Sequence, residues 1–193
     1  VLIAELKTEI PLAEPDADSG LVTWLDIAIR QGDPDADVRV GSARLAIIQA
    51  AEAVDRGISL VDVLDADSDD LLSLHDVFFD DHGLKEDFTN GTGLNALYVS
   101  SIELMLPWRG RKIEEALVRR VSDLWGQGCA IAIMPLTNPD ESRRWLDLGF
   151  VVARKPTRDQ IGYAYLDLSL AAPEVVVADD DGDRFEIAPR DGG

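Results

Sequence analysis

The residues best suited to chemistry in this chain sit in one short turn, Pro107-Trp108-Arg109-Gly110-Arg111-Lys112. Arg109, Arg111 and Lys112 offer charge-assisted hydrogen bonds, and Gly110 lets a ligand oxygen approach the backbone closely. A helical pattern follows at once, and a helix N-terminus brings unpaired N–H groups and the positive end of its dipole. Such a turn suits a phosphate. Glu114 and Glu115 work against that ligand, because like-charge contacts near a surface cost on the order of a kcal/mol or more each. They also read as ordinary first-turn acids that stabilise the helix dipole and need no ligand.

Glu103 is the best candidate for a general base. It lies amid Ile102, Leu104 and Met105, and an inward side chain there would have its pKa raised by burial. A shift of one residue in strand phase would make it a surface acid instead. Cys129 has no nearby histidine in sequence and reads as a buried structural thiol. His75 and His82 are the only histidines, and neither has a second ligand at metal spacing. Asp65-Ala-Asp67-Ser-Asp69 is like the start of a calcium loop, but Asp70 occupies the position that needs glycine. No metal is expected.

Around these residues a family resemblance emerges. Trp108-Arg109-Gly110-Arg111-Lys112-Ile113-Glu114-Glu115-Ala116-Leu117 resembles the pyrophosphate loop and following helix of the GNAT superfamily of N-acetyltransferases. Trp145-Leu-Asp-Leu-Gly-Phe150 is similar to that superfamily's late helix. The resemblance implies a mixed central sheet whose middle strands, ending near Leu106 and Met134, splay apart. Acetyl-CoA would lie in the groove, held by Leu104, Leu106, Arg109, Gly110, Arg111, Lys112, Ile113 and Glu114. The acceptor amine would arrive from the loops around Asp65 and Tyr163. Two departures bear on activity. The family's small loop positions fall on Lys112 and Glu114, and Trp145 stands where many members carry a tyrosine acid. Two functions follow as expectations: an acyl-CoA-dependent N-acetyltransferase acting on an amine, or a GNAT-fold binding or regulatory protein whose acetyl-CoA affinity is weakened or lost.

The elements that must position the turn can be read from periodicity. Ala96–Leu106 is an apolar strand leading into it, and Ile113, Ala116, Leu117, Val121 and Leu124 give the spacing of the helix leaving it. Gly126 and Gly128 stop that helix before a buried strand at 129–134. A second helix is expected from Asn138 to Leu148. Ahead of the unit, strands are expected at 1–10, 21–30 and 38–49, the last continuing towards Ala53. A short capped helix fits 59–64, and Ser68 caps a second one with Leu71, Leu72, Leu74, Val77 and Phe78 on its buried stripe. Strands at 151–153 and 163–168 close the pattern. The fold class is α/β with helices on both faces of a mixed sheet. A single domain is expected over 1–170, followed by a poorly ordered acidic tail over 171–193, in which 174–178 is a candidate edge strand.

Composition narrows the function classes. The 193 residues are 46% hydrophobic, enough for one well-buried domain. No apolar run reaches membrane-spanning length, and no secretory signal is expected at Val1-Leu2-Ile3. A single cysteine fits a reducing cytoplasm. Net charge is −19, with 26 Asp against 11 Glu and 14 Arg against 4 Lys. A polyanion repels nucleic acid, so neither nucleic acid nor membrane is an expected partner. Cationic amines, free or on basic proteins, are. Solubility, salt adaptation and DNA mimicry compete as reasons for the charge, and its spread through many loops favours salt adaptation. A homodimer is one candidate assembly, and no motif in the sequence encodes the oligomeric state.

Overall fold

The computed structural model describes residues 1–8, 20–32, 38–89, 93–137, 139–155, 157, 160–180 and 182–188, with backbone alone at 139–142. Three strands come first: β1 (Leu2–Lys7), β2 (Val22–Gln31) and β3 (Arg39–Ile48). Three helices follow, α1 (Ala50–Arg56), α2 (Leu60–Asp67) and α3 (Asp69–Phe78), then the two-residue strands β4 (Phe79–Asp80) and β5 (Gly83–Leu84). The central unit is β6 (Asn95–Leu104), α4 (Ile113–Trp125), β7 (Cys129–Leu136) and α5 (Pro139–Leu146). The strands β8 (Val151–Arg154), β9 (Gly162–Asp167), β10 (Val175–Val177) and β11 (Phe185–Ile187) end the described chain.

Seven strands form one mixed sheet in the order β1-β2-β3-β6-β7-β9-β8. Within it β6 and β7 run parallel, and the other neighbours are antiparallel. A parallel pair needs a crossover connection, and α4 supplies it. Each face of the sheet carries its own core. Leu97, Val99, Ala132 and Met134 pack with Ile113, Leu117, Val118 and Val121 of α4 and with Trp145 and Phe150. Tyr98, Ile131 and Ile133 pack with Ala53, Leu64, Leu71, Leu74 and Phe78 of the first three helices. β7 is buried at every position except Pro135, as a central strand covered on both faces must be. The expected α/β class with helices on both faces is what the chain adopts.

Two local features shape the middle of the sheet. The β3–β6 register jumps between Arg44↔Ser101 and Leu45↔Val99, leaving Ser100 as a bulge. Pairing between β6 and β7 extends from Asn95↔Cys129 to Tyr98↔Ile133, whereas β6 runs on to Leu104 and β7 to Leu136. Beyond Tyr98 the two strands part, as the expected groove requires.

Three elements differ from their sequence expectations. The third strand stops at Ile48, and 50–56 is helical. An alanine-rich run, a Glu52–Arg56 pair one turn apart and Gly57 in the left-handed C-cap conformation outweigh the apolar continuity that suggested strand. The helix after Ser59 continues to Asp67, past the expected 64. In the tail, expected to be poorly ordered, the candidate strand at 174–178 forms as β10, but it pairs with β11 in a separate hairpin and not with an edge of the main sheet. Asn138 and the last residues, 189–193, lie outside the described residues.

Candidate anion and acyl-carrier site

β6 ends at Leu104, a 3-10 turn covers Leu106–Trp108, and α4 begins at Ile113. The basic turn is therefore a bend joining the half of β6 that has parted from β7 to a helix. Its backbone is unusual twice over: Gly110 has φ 76 and Lys112 φ 58. Lys112 is the single non-glycine residue with positive φ among the described residues, in a conformation that disfavours a Cβ. It is also the N-cap of α4 and gives no side-chain cap. The first helical bond runs from the Ala116 N–H to the Lys112 carbonyl at 3.0 Å. The N–H groups of Ile113, Glu114 and Glu115 come before it, where a helix has no internal acceptors.

The side chains around the bend are arranged as follows. Arg109 folds back so that Nε donates to the Leu104 carbonyl at 3.0 Å. The Arg111 guanidinium lies 4.7 Å from the Trp108 ring centroid and pairs with Asp183 at 2.7 Å. Glu114 and Glu115 both turn to Arg144 on α5. Arg144 Nε donates to Glu115 Oε1 at 2.8 Å and its terminal nitrogen to Oε2 at 3.0 Å, a bidentate pair, with Glu114 contacting that same terminal nitrogen. Glu115 is 4% exposed, so this carboxylate is a buried strut between helices. Burial works against the Arg144 charge, but the two carboxylates outweigh it and raise its pKa. The bend thus brings together four cations, Arg109, Arg111, Lys112 and Arg144, and three carboxylates, Glu114, Glu115 and Asp183.

Met105 and Leu106, 53% and 76% exposed, form an apolar lip where β6 has left β7. Leu104 itself is buried in the core with Ile113. Trp145 is buried against Phe150, ring centroids 5.9 Å apart, in the packing role its chemistry suggests.

Glu103 takes the outward phase. It is exposed, opposite Ser42 of β3, in an open polar depression with Lys7, Asp26, Arg39 and Arg44. The inward general-base expectation is not met, because alternation past the Ser100 bulge sends Leu104 inward and Glu103 to solvent. Asp65 is likewise exposed on α2, and α3 rather than α2 approaches Tyr163.

The titratable groups brought to the split are ones that the sequence did not single out together. Tyr98, at the last paired position, and Tyr163 on β9 are buried. The Tyr163 hydroxyl meets the Ser73 hydroxyl of α3, and the Arg154 guanidinium lies 4.9 Å from the Tyr163 ring centroid. Burial raises both phenol pKa values, and the nearby Asp70 charge adds to the rise. Both stay protonated at neutral pH and serve as hydrogen-bonding groups. Period-two reading of 163–168 and the cap at Ser68 place each residue on its element, but their meeting across 90 residues of sequence has no local signal. Cys129 is buried and its thiol is pushed up to about 11 by burial, the state of an inert thiol.

No family model matches the chain, and no curated protein matches it. Among solved structures it is similar to a domain from Methanocaldococcus jannaschii, with 14% identity over 76% of this chain and 67% of that one and a TM-score of 0.38. It is also similar to Drosophila melanogaster polyamine N-acetyltransferase, an enzyme that catalyses the formation of N-acetylagmatine. There the identity is 13% over 74% of each chain and the TM-score 0.43. No helix among the described residues is long and apolar enough to cross a membrane.

Proposed function

We propose that this chain is an N-acyltransferase-like protein of the GNAT type that takes acyl-CoA as donor and an amine as acceptor. One observation carries the reading. A basic bend with positive φ at Gly110 and Lys112 and an uncapped helix start follows directly from the half of β6 that has parted from β7. The residues fit a diphosphate in kind. Ile113, Glu114 and Glu115 offer backbone N–H groups, and Arg111 and Lys112 supply charge. Leu104 and Leu106 border the split along which the carrier arm would run. Acyl-CoA, when bound, supplies an activated thioester carbonyl. The chain's part is to orient that carbonyl and exclude water, because neither Glu103 nor Trp145 is a suited acid or base. The acidic surface favours a cationic acceptor, either a small amine or an amine on a basic protein, and the single buried thiol fits a cytoplasmic setting.

A second reading, a GNAT-fold binding or regulatory protein without cofactor affinity, draws on the ion pairs that already satisfy the bend. Arg144 holds both glutamates and Asp183 holds Arg111. Calorimetry with acetyl-CoA and with CoA separates the two. Heat from a one-to-one complex is expected on the first reading, and silence at millimolar ligand retires it.

A further inference from the structure

The C-terminal segment does more than trail from the domain: we infer that the β10–β11 hairpin is an intramolecular strap whose Asp183 carboxylate occupies the anion position at Arg111, so that a polyphosphate and the docked hairpin exclude one another. The inference rests on the bend being the polyphosphate site proposed above.

The contact is built from both chain and side chain. Asp183 Oδ2 lies 2.7 Å from Arg111, and the Phe185 N–H donates to the Arg111 carbonyl at 2.9 Å. Carboxylate and phosphate compete for a guanidinium through the same charge-assisted hydrogen bonds. Asp183 is presented rather than loosely placed. Asp179 Oδ1 accepts from the backbone N–H groups of Gly182, Asp183 and Arg184 at 2.9, 3.2 and 3.4 Å, fixing the turn that carries it.

The strap is also seated lightly enough to leave. Its strands are three residues each and pair only with one another, and an isolated two-stranded hairpin is marginal in water. Val176 and Val177 face solvent. Beside it runs an open, mostly apolar groove of about 400 Å³, bordered by Leu2, Ile29, Leu117, Val121, Val175 and Phe185. Val175, Phe185 and Ile187 pack against the core but are only partly buried, so release forfeits less contact than it would from a fully buried seat.

The test titrates CoA and, separately, inorganic pyrophosphate into the full-length protein, into Asp183→Asn and into Asp180→Asn. The last removes the same charge from an exposed neighbour in the same turn. Amide exchange at Phe185 is followed in the unmodified protein. Asp183→Asn should bind both probes about tenfold more tightly, within the usual range of coupling between competing contacts. Asp180→Asn should match the unmodified protein, and ligand should speed exchange at Phe185. Equal affinities in all three proteins, or equal gains in the two variants, would overturn the strap while leaving the acyl-CoA reading intact. No binding by any of them would overturn both.

Discussion

Lys112 carries a side chain on a backbone that suits glycine: its φ is 58, in the left-handed region that disfavours a Cβ. A left-handed L-residue costs roughly 1–2 kcal/mol, partly offset because glycine loses more freedom on folding. Lys112→Gly should therefore stabilise the protein by about 0.5–1 kcal/mol, or roughly 1–4 °C in Tm. Thermal melts at matched ionic strength would read it. A drop in Tm would mean that the lysine side chain stabilises the bend by more than its backbone costs. The sequence made Lys112 conspicuous by its place in the loop pattern, but its φ angle was not legible. The same limit applied to Glu103: its identity and strand were readable, while its direction depended on a bulge at Ser100 that nothing in Tyr98-Val-Ser-Ser-Ile102 announces.

At the scale of elements, the legible parts were those with long, regular periodicity. The stripe Ile113, Leu117, Val121 fixes α4, and continuous burial fixes β7 between two helical layers. Elements held by short local chemistry were less legible. Ala50–Val54 satisfies either period, so α1 reads as an extension of the neighbouring strand, and of the β10–β11 hairpin only the first strand shows through the acidic composition. What joins elements was least visible. The Arg144 link between α5 and the start of α4 spans 29 residues and depends on Glu115 being buried. Arg144→Met leaves that buried carboxylate without its partner. Loss of a partner from a buried pair costs several kcal/mol. With Arg144 about a third exposed the expected cost is lower, about 2 kcal/mol or roughly 4–8 °C in Tm. Adding Glu115→Gln should recover most of the loss, because an amide costs less to bury than an unpaired charge. If the double variant melts no higher than Arg144→Met, the link acts through packing on Trp145, 4.8 Å from the guanidinium, rather than through charge.

For the whole molecule, the dominant electrostatic fact is a net charge of −19. Two opposing terms decide what salt does to it. Screening relieves the mutual repulsion of 37 carboxylates, among them exposed acids at helix starts such as Asp62, Asp69 and Asp70, and that stabilises the compact state. Screening also weakens the exposed ion pairs, among them Arg30–Glu5 and Arg44–Asp26, but such pairs contribute only about 0–1 kcal/mol each. The Arg144 cluster is partly buried and is screened less. Repulsion therefore outweighs attraction, and Tm should rise as KCl goes from millimolar to molar, steeply at first while the screening length shrinks and then more gradually. NaCl at equal ionic strength should act alike over the early rise, because screening does not distinguish the cations; a gain specific to KCl at molar concentration would instead indicate carboxylate surfaces that bind hydrated potassium. A Tm that falls with either salt would mean that the ion pairs at the bend, Arg111–Asp183 and Arg144 with its two glutamates, carry more of the stability than their number suggests.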